Sequence, residues 1–218
     1  RLCENLIDVQ LELHSIDYKA IGLEGYGRPD GYVRRQVEGW SQRYRNARTP
    51  DAPDYEDVMA WLEEKMPPET PKPGIIHNDY KFDNVVLDAD NPLKIVGVLD
   101  WEMATIGDPL MDLGSSLAYW VEAADPPNVQ LIRMLPTTIP GAMTRAEIVA
   151  RYAERSGISI PNFDFYLCFG LFRLAVIAQQ IYYRFYHGQT TDERFKMLIV
   201  AVQVLEESAR SLIGNSTL

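Results

Sequence analysis

The chain has 218 residues, a formal charge of −10 and a pI near 4.8, and such an acidic balance argues against general nucleic-acid binding because it repels phosphate backbones. With 46% hydrophobic and 24% charged residues the composition is that of a soluble globular protein and excludes disorder as an explanation for any of it. Cys3 and Cys168 are too few for a disulfide framework, no basic-then-apolar targeting segment opens the sequence, and a reducing cytoplasm is the expected setting.

Leu2, Leu6, Val9, Leu13 and Ile16 recur at helical spacing and predict an amphipathic helix over 1–17. His14 sits beside its apolar face, as a packed, hydrogen-bonded structural residue. The glycine-rich run from Gly22 to Gly27 follows a helix instead of a strand, so it reads as a flexible connection and not as a phosphate loop. Val33, Val37, Trp40 and Tyr44 mark a second helix. The segment 28–48 holds six arginines (Arg28, Arg34, Arg35, Arg43, Arg45 and Arg48) against two acids, so it is locally +4 while the remainder is −14. Such a stretch is either a solvated basic face or a clamp for an anionic part of a bound molecule, with Arg34 and Arg35 as the candidate contacts. A third helix is expected over 55–66, capped by Asp54 and stopped by Pro67-Pro68.

The centre of the chain carries the chemistry. Gly74-Ile75-Ile76 leads into the octet His77-Asn78-Asp79-Tyr80-Lys81-Phe82-Asp83-Asn84, Val85-Val86-Leu87 leads out, and a turn at 88–92 returns the chain into 93–99. This pattern predicts a short strand, a polar loop and a β-hairpin. The open ends of a hairpin lie side by side, so Asn84 and Asp100 should face each other and form a hard-metal site. Phosphoryl transfer needs a carboxylate to orient the acceptor hydroxyl and oxygen ligands for Mg²⁺. Asp79 suits the first task; Asn84 and Asp100 suit the second. Lys81 places a point charge within reach of a transferred phosphate.

Downstream, Asp108-Pro109 is an N-cap followed by proline at the first helical position, opening a helix over 109–123 with Asp112 in its first turn. The proline-bearing stretch 125–143 predicts an irregular loop, and Thr144-Arg145-Ala146-Glu147 is a capping-box sequence for a helix ending near Gly157. Residues 163–187 are apolar on nearly all sides but carry Arg173, Gln179, Gln180 and Arg184, which predicts a buried central helix and not a membrane span. Gly188 closes it. A last amphipathic helix begins at Thr191.

The pattern His-x-Asp-x-x-x-x-Asn followed by an Asp at a strand end resembles the catalytic and metal-binding loops of the protein-kinase-like superfamily. Leu99-Asp100-Trp101-Glu102 and Gly107-Asp108-Pro109-Leu110-Met111-Asp112-Leu113 narrow the resemblance to the aminoglycoside phosphotransferase (APH) family, in particular its branch related to kinase domains fused to acyl-CoA dehydrogenases. Leu13-His14-Ser15-Ile16-Asp17, Gly27-Arg28-Pro29, Arg173-Leu174-Ala175 and Tyr183-Arg184 extend it over most of the chain. Asn78 departs from the pattern, since the family usually has Gly there, and its side chain is expected to crowd the loop.

The resemblance implies an α+β, mainly α, fold: the C-terminal helical lobe of a protein-kinase-like phosphotransferase, with a small β-hairpin carrying the active site. It divides the single lobe into a helical segment 1–73, the catalytic and metal-binding loops 74–108 and an acceptor-side helical region 109–218. It implies ATP as phosphoryl donor, Mg²⁺, and transfer to a hydroxyl of a small molecule, hydroxyacyl-CoA and aminoglycosides being candidate acceptors. In that reading Asp79 orients the hydroxyl and receives its proton, Lys81 balances phosphate charge, and Asn84 and Asp100 hold the metal. Glu102 either joins the metal through water or serves structure alone. His77 supports the loop, and Asp112 braces it from behind unless it only complements its helix dipole. No nucleotide lobe with a phosphate-covering loop and strand lysine precedes His77, so the chain is expected to be one lobe of a longer protein and inactive by itself. The alternative is an inactive fragment or pseudokinase with a binding role.

Overall fold

In the computed structural model, which describes residues 1–218, the chain runs in the order α1 (Leu2–Ser15), α2 (Tyr32–Ala47), α3 (Glu56–Glu64), β1 (Gly74–Ile76), β2 (Val85–Leu87), β3 (Ile95–Val98), β4 (Thr105–Gly107), α4 (Pro109–Ala118), α5 (Pro127–Leu131), α6 (Arg145–Ser156), α7 (Asp164–Tyr186) and α8 (Leu198–Asn215). The architecture is α+β and mainly α. Local signals set several boundaries: Asp108 accepts from the Leu110 amide with Pro109 behind it, and Thr144 and Glu147 form a reciprocal capping box. Gly157 ends α6 in the left-handed region at φ 71°.

α7 is the axis. It packs against α2, α4 and α8, and its Phe169, Phe172, Ala175 and Val176 meet Tyr44, Tyr55, Leu62 and Val202 in the larger of two main cores. By length and composition α7 would span a bilayer, but 67% of its most apolar window is buried inside the protein. The second core joins α1, α4 and α6 through Leu6, Ile7, Leu117, Ile148 and Tyr152, and it also takes Tyr80 from the catalytic loop.

α4 and α7 approach at their glycines. A methyl on Gly170 would stand 2.2 Å from the Gly114 carbonyl oxygen, and one on Gly114 equally close to that of Tyr166. Both obstacles are backbone, so no side chain can swing aside. Alanine gains about 1 kcal/mol of helix propensity, whereas overpacking a close helix contact costs about 1–3 kcal/mol and more when backbone must move. Gly170→Ala is therefore expected to destabilise, lowering the melting temperature by about 5 °C or more; an unchanged or raised melting temperature would show that the helices can part freely.

Two small antiparallel sheets position the site. β2 pairs with β3 in the predicted hairpin, Val85 opposite Val98, with an irregularity between Val86 and Leu87. β1 pairs with β4, a strand the sequence did not signal because three residues are too short for a period; its register sets Gly74 opposite Gly107. Elsewhere the expectations need adjustment. α4 ends at Ala118, not 123: the Tyr119 and Trp120 amides tighten onto the Ser116 and Leu117 carbonyls at 3.3 and 3.0 Å, and the Trp120 carbonyl beyond them accepts from Arg145 Nη1 at 2.7 Å. α3 is capped by Tyr55 in the left-handed region, with Asp54 bonding the Glu56 amide at 3.3 Å. α5 interrupts the expected irregular loop, and a 3₁₀ turn at Glu193–Met197 precedes α8. The glycine-rich connection is not simply flexible. A methyl on Gly27 would lie 2.6 Å from the Ile106 amide, so only glycine lets the connection lie flat on β4.

Candidate active site

The register of the hairpin brings its open ends together. The Leu99 amide donates to the Asn84 carbonyl at 2.8 Å, so Asn84, before β2, sits one residue from Asp100, after β3. Asp100 is exposed and adopts φ 64°, turning the chain into the Trp101–Met103 3₁₀ turn. Asn84 is buried, and its Nδ2 donates both to the Asp79 carbonyl at 2.8 Å and to Asp79 Oδ2 at 2.9 Å. With the amide nitrogen so used, the Asn84 Oδ1 keeps its lone pairs. Lys81 Nζ pairs with the same Asp79 Oδ2, and it lies 5.0 Å from the centre of the Tyr119 ring. Asp79 thus has Oδ2 held by two donors and Oδ1 beyond the direct hydrogen bonds of the loop, with the Tyr119 hydroxyl near enough to the carboxylate to interact with it.

His77 is fully buried and its tautomer follows from its neighbours. Nδ1 faces the Asp79 amide at 3.2 Å, which only donates, and Nε2 faces the Leu99 carbonyl at 2.8 Å, which only accepts. The neutral ring with its proton on Nε2 therefore ties the base of the Asp79 loop to the residue before Asp100. It has no route to substrate. Glu102 is exposed and its side chain makes no hydrogen bond, so nothing fixes it beside Asn84 and Asp100. No group of three His, Cys, Asp or Glu side chains converges on a metal position; a cation at Asn84 and Asp100 would draw its remaining ligands from phosphates and water, which is how Mg²⁺ is usually held.

Asp112 lies behind the loop, fully buried. Its Oδ1 accepts from the Asn78 amide at 2.6 Å, and its Oδ2 from the His77 amide at 3.1 Å, His14 Nε2 at 2.9 Å and Gln10 Nε2 at 3.2 Å. Burial pushes its carboxyl upward, but the His14 hydrogen bond and charge, with the bonds from His77 and Gln10, outweigh this and hold it below the usual carboxylate range. His14 in turn bonds the Tyr152 hydroxyl at 2.8 Å, anchoring the brace to α6. Gln10 and His14 are four residues apart on α1; a polar pair at helical spacing on an otherwise apolar face was the signal that this brace extends into the first helix.

Asn78 does not crowd the loop. At φ 66° it occupies the left-handed region that favours Gly, which Asn tolerates better than other side chains. Its side chain also adds contacts that Gly would lack: Nδ2 donates to the Met103 carbonyl at 3.0 Å, and Oδ1 accepts from Tyr32 at 3.3 Å. Tyr119, the residue just past α4, was not singled out from sequence. It stands beside Asp79, and burial first, then the Asp79 charge, raises its hydroxyl well above the ordinary range.

The arginine-rich segment is largely committed. Arg34 pairs with Glu38 in the open at 3.9 Å, and Arg45 with Glu56 at 2.7 Å. Arg35 turns back onto the carbonyls of Arg28 and Asp30, so its guanidinium holds its own loop. Arg43 stacks 4.6 Å from the Trp40 ring centre and lines a surface recess with Asn46, Gln180 and Arg184. Another recess lies between α5, α7 and α8.

The family model of the phosphotransferase enzyme family, APH, matches residues 1–153. Acyl-CoA dehydrogenase family member 11 from chicken is 32% identical over 210 residues, covering 94% of this chain and 27% of that protein, and the human counterpart is 32% identical over 211 residues. Acyl-CoA dehydrogenase family member 10 from mouse is 34% identical over 186 residues, covering 84% of the chain and 17% of that protein. The chain thus spans about a quarter or less of these curated relatives. Among solved structures, a candidate aminoglycoside phosphotransferase from Ralstonia eutropha superposes with a TM-score of 0.81 at 30% identity, covering 96% of this chain and 65% of that one. A macrolide 2'-phosphotransferase, with TM-score 0.59 at 15% identity over 95% of this chain and 58% of its own, shares the fold. The fold is the helical lobe of a protein-kinase-like phosphotransferase, and the chain belongs to the APH phosphotransferase family.

Proposed function

We propose that the full-length protein carrying this chain transfers the γ-phosphoryl group of ATP to a hydroxyl of a small molecule. The observation that carries the reading is the Asp79 carboxylate, one oxygen held by Lys81 and Asn84 and the other open, one hairpin step from Asp100. The open oxygen accepts the acceptor's O–H, orients it for in-line attack and takes its proton as the new P–O bond forms and the bond from the γ-phosphorus to the bridging oxygen breaks, releasing ADP. Lys81 spends one of its donors on Asp79 and has two more for phosphate oxygens. Asn84 Oδ1 and the Asp100 carboxylate fit Mg²⁺, an ion that, when bound with ATP, neutralises charge on the phosphates. The intact set Asp79, Asn84 and Asp100 favours an active parent over a pseudokinase. In the full-length protein, Asp100→Ala is expected to abolish Mg²⁺-dependent thermal stabilisation by ATP, on top of the small loss in unliganded melting temperature that alanine incurs in the left-handed backbone there. The same MgATP response with and without Asp100 would remove the metal from this site.

For the acceptor we propose an anionic or acyl-carrier-linked hydroxy compound over an aminoglycoside. The net charge of −10 suits a polycation only through long-range steering. Local cations support the other choice, although Arg43 and Arg184, which share a recess and make no ion pair, are better placed for it than the committed Arg35. The naming of the curated relatives as acyl-CoA dehydrogenase family members points the same way.

A further inference from the structure

Arg173 is a buried cation without an anion. It projects from α7 with 3% of its surface exposed, and no carboxylate lies within ion-pair distance of it. Its one hydrogen bond runs from Nη2 to the Met103 sulfur at 3.6 Å, a weak acceptor, and its guanidinium lies 5.1 Å from the Trp40 ring centre. Nε and Nη1 have no partner, yet the only fully buried side-chain polar atoms without one are Gln10 Oε1 and Gln179 Oε1. Those two nitrogens therefore open onto solvent from an otherwise buried residue. The direction of that opening follows from three neighbours. Met103 belongs to the turn after Asp100, and the Arg173 charge acts on the hydroxyls of both Tyr32, which bonds Asn78, and Tyr119, which stands beside Asp79.

A guanidinium with so little contact with water and no anion is costly, and cation–π stacking on one tryptophan offsets only part of that cost. Nε and Nη1 lie on different edges of the guanidinium, so each offers a separate charged donor to an oxygen. Trp40 and Met103 flank it, and Tyr32 and Tyr119 lie near enough for its charge to act on their hydroxyls. The phosphoryl side of Asp79 is already served by Lys81, Asn84 and Asp100. Resting on the phosphotransfer reading above, we infer that Arg173 anchors the acceptor, binding a carboxylate or acyl carbonyl oxygen that the acceptor carries apart from its reacting hydroxyl.

The experiment compares the full-length protein with Arg173→Met and Arg173→Lys on three acceptors of matched length: a hydroxycarboxylate, its thioester and a neutral diol. Loss of one partner of a desolvated charge pair predicts that Arg173→Met raises KM for the hydroxycarboxylate about 30-fold or more, with the diol and ATP values unchanged, and that Arg173→Lys recovers part of the loss. A fall in kcat equal for all three acceptors would instead assign Arg173 to the transferred phosphoryl group or to packing and overturn the inference. Calorimetric titration of the hydroxycarboxylate without ATP decides the matter independently of turnover. Binding lost in Arg173→Met but kept in part in Arg173→Lys supports the anchor even if no acceptor is phosphorylated, an outcome that would sink the phosphotransfer reading alone. Equal binding to the wild type and to folded Arg173→Met would refute the anchor.

Discussion

Asp79→Asn in the full-length protein is expected to lower acceptor turnover by about 10²-fold or more while leaving nucleotide affinity nearly unchanged. The substitution preserves size and removes the negative charge. Of the two carboxylate oxygens, Oδ2 is engaged by Lys81 and by Asn84 Nδ2 at 2.9 Å; an asparagine must place its carbonyl oxygen there to avoid setting its NH₂ against two donors. Its NH₂ group then occupies the open position, where it can neither accept a hydroxyl's hydrogen bond nor take its proton. Nucleotide affinity should be spared because the groups proposed to hold the metal, Asn84 Oδ1 and Asp100, keep their places. Steady-state kinetics with a saturating acceptor, alongside nucleotide titration, separates the two effects. Near-normal turnover by a verified variant would remove Asp79 from the role of base.

Much of this site was legible because its determinants are local. A hairpin is announced by two apolar runs and a turn, and pairing Val85 with Val98 leaves no freedom in where Asn84 and Asp100 end up. Capping signals at Asp108 and Thr144 worked for the same reason. What sequence did not yield are the contacts between distant segments. β4 pairs with β1 across 28 intervening residues and is too short to carry a period. The six arginines of 28–48 read as a free cationic cluster, yet Arg35 is consumed by carbonyls a few residues away and Arg45 by an acid on the next helix. A count of charges is blind to such local partners. Arg173 shows the converse, since nothing in a run of apolar helix reveals that this buried cation will lack a carboxylate partner. The Asn78 departure from Gly misled for a third reason: steric crowding was expected, whereas the left-handed backbone points the amide at Tyr32 and Met103, where both of its ends are used.

Asp112→Asn should have the largest effect on stability, and its argument joins the fold to the chemistry. The carboxylate of a fully buried residue accepts four hydrogen bonds, two from consecutive backbone amides of the catalytic loop and two from α1. An asparagine offers one acceptor oxygen and turns an NH₂ toward donors, leaving at least one buried N–H unpaired and His14 without its carboxylate. Disrupting one partner of a buried charged network costs about 3–5 kcal/mol, which for a protein of this size lowers the melting temperature by about 10 °C. The pH dependence has a definite sign. Because the folded-state carboxyl is held below its unfolded value, the stabilisation is fully present above the unfolded pKa of about 3.9 and is lost as pH falls through the lower folded value. The variant should lack this acid-range component, so the gap between the wild-type and variant melting curves narrows as pH drops below about 4. His77 and Asn78 flank Asp79, so the part of the variant that remains folded should also lose kcat with little change in the KM for ATP. A gap that stays constant down to the acid limit would show that Asp112 stabilises the fold by packing and not as an ionised brace, and full kcat in the folded variant would show that the loop holds its shape without it.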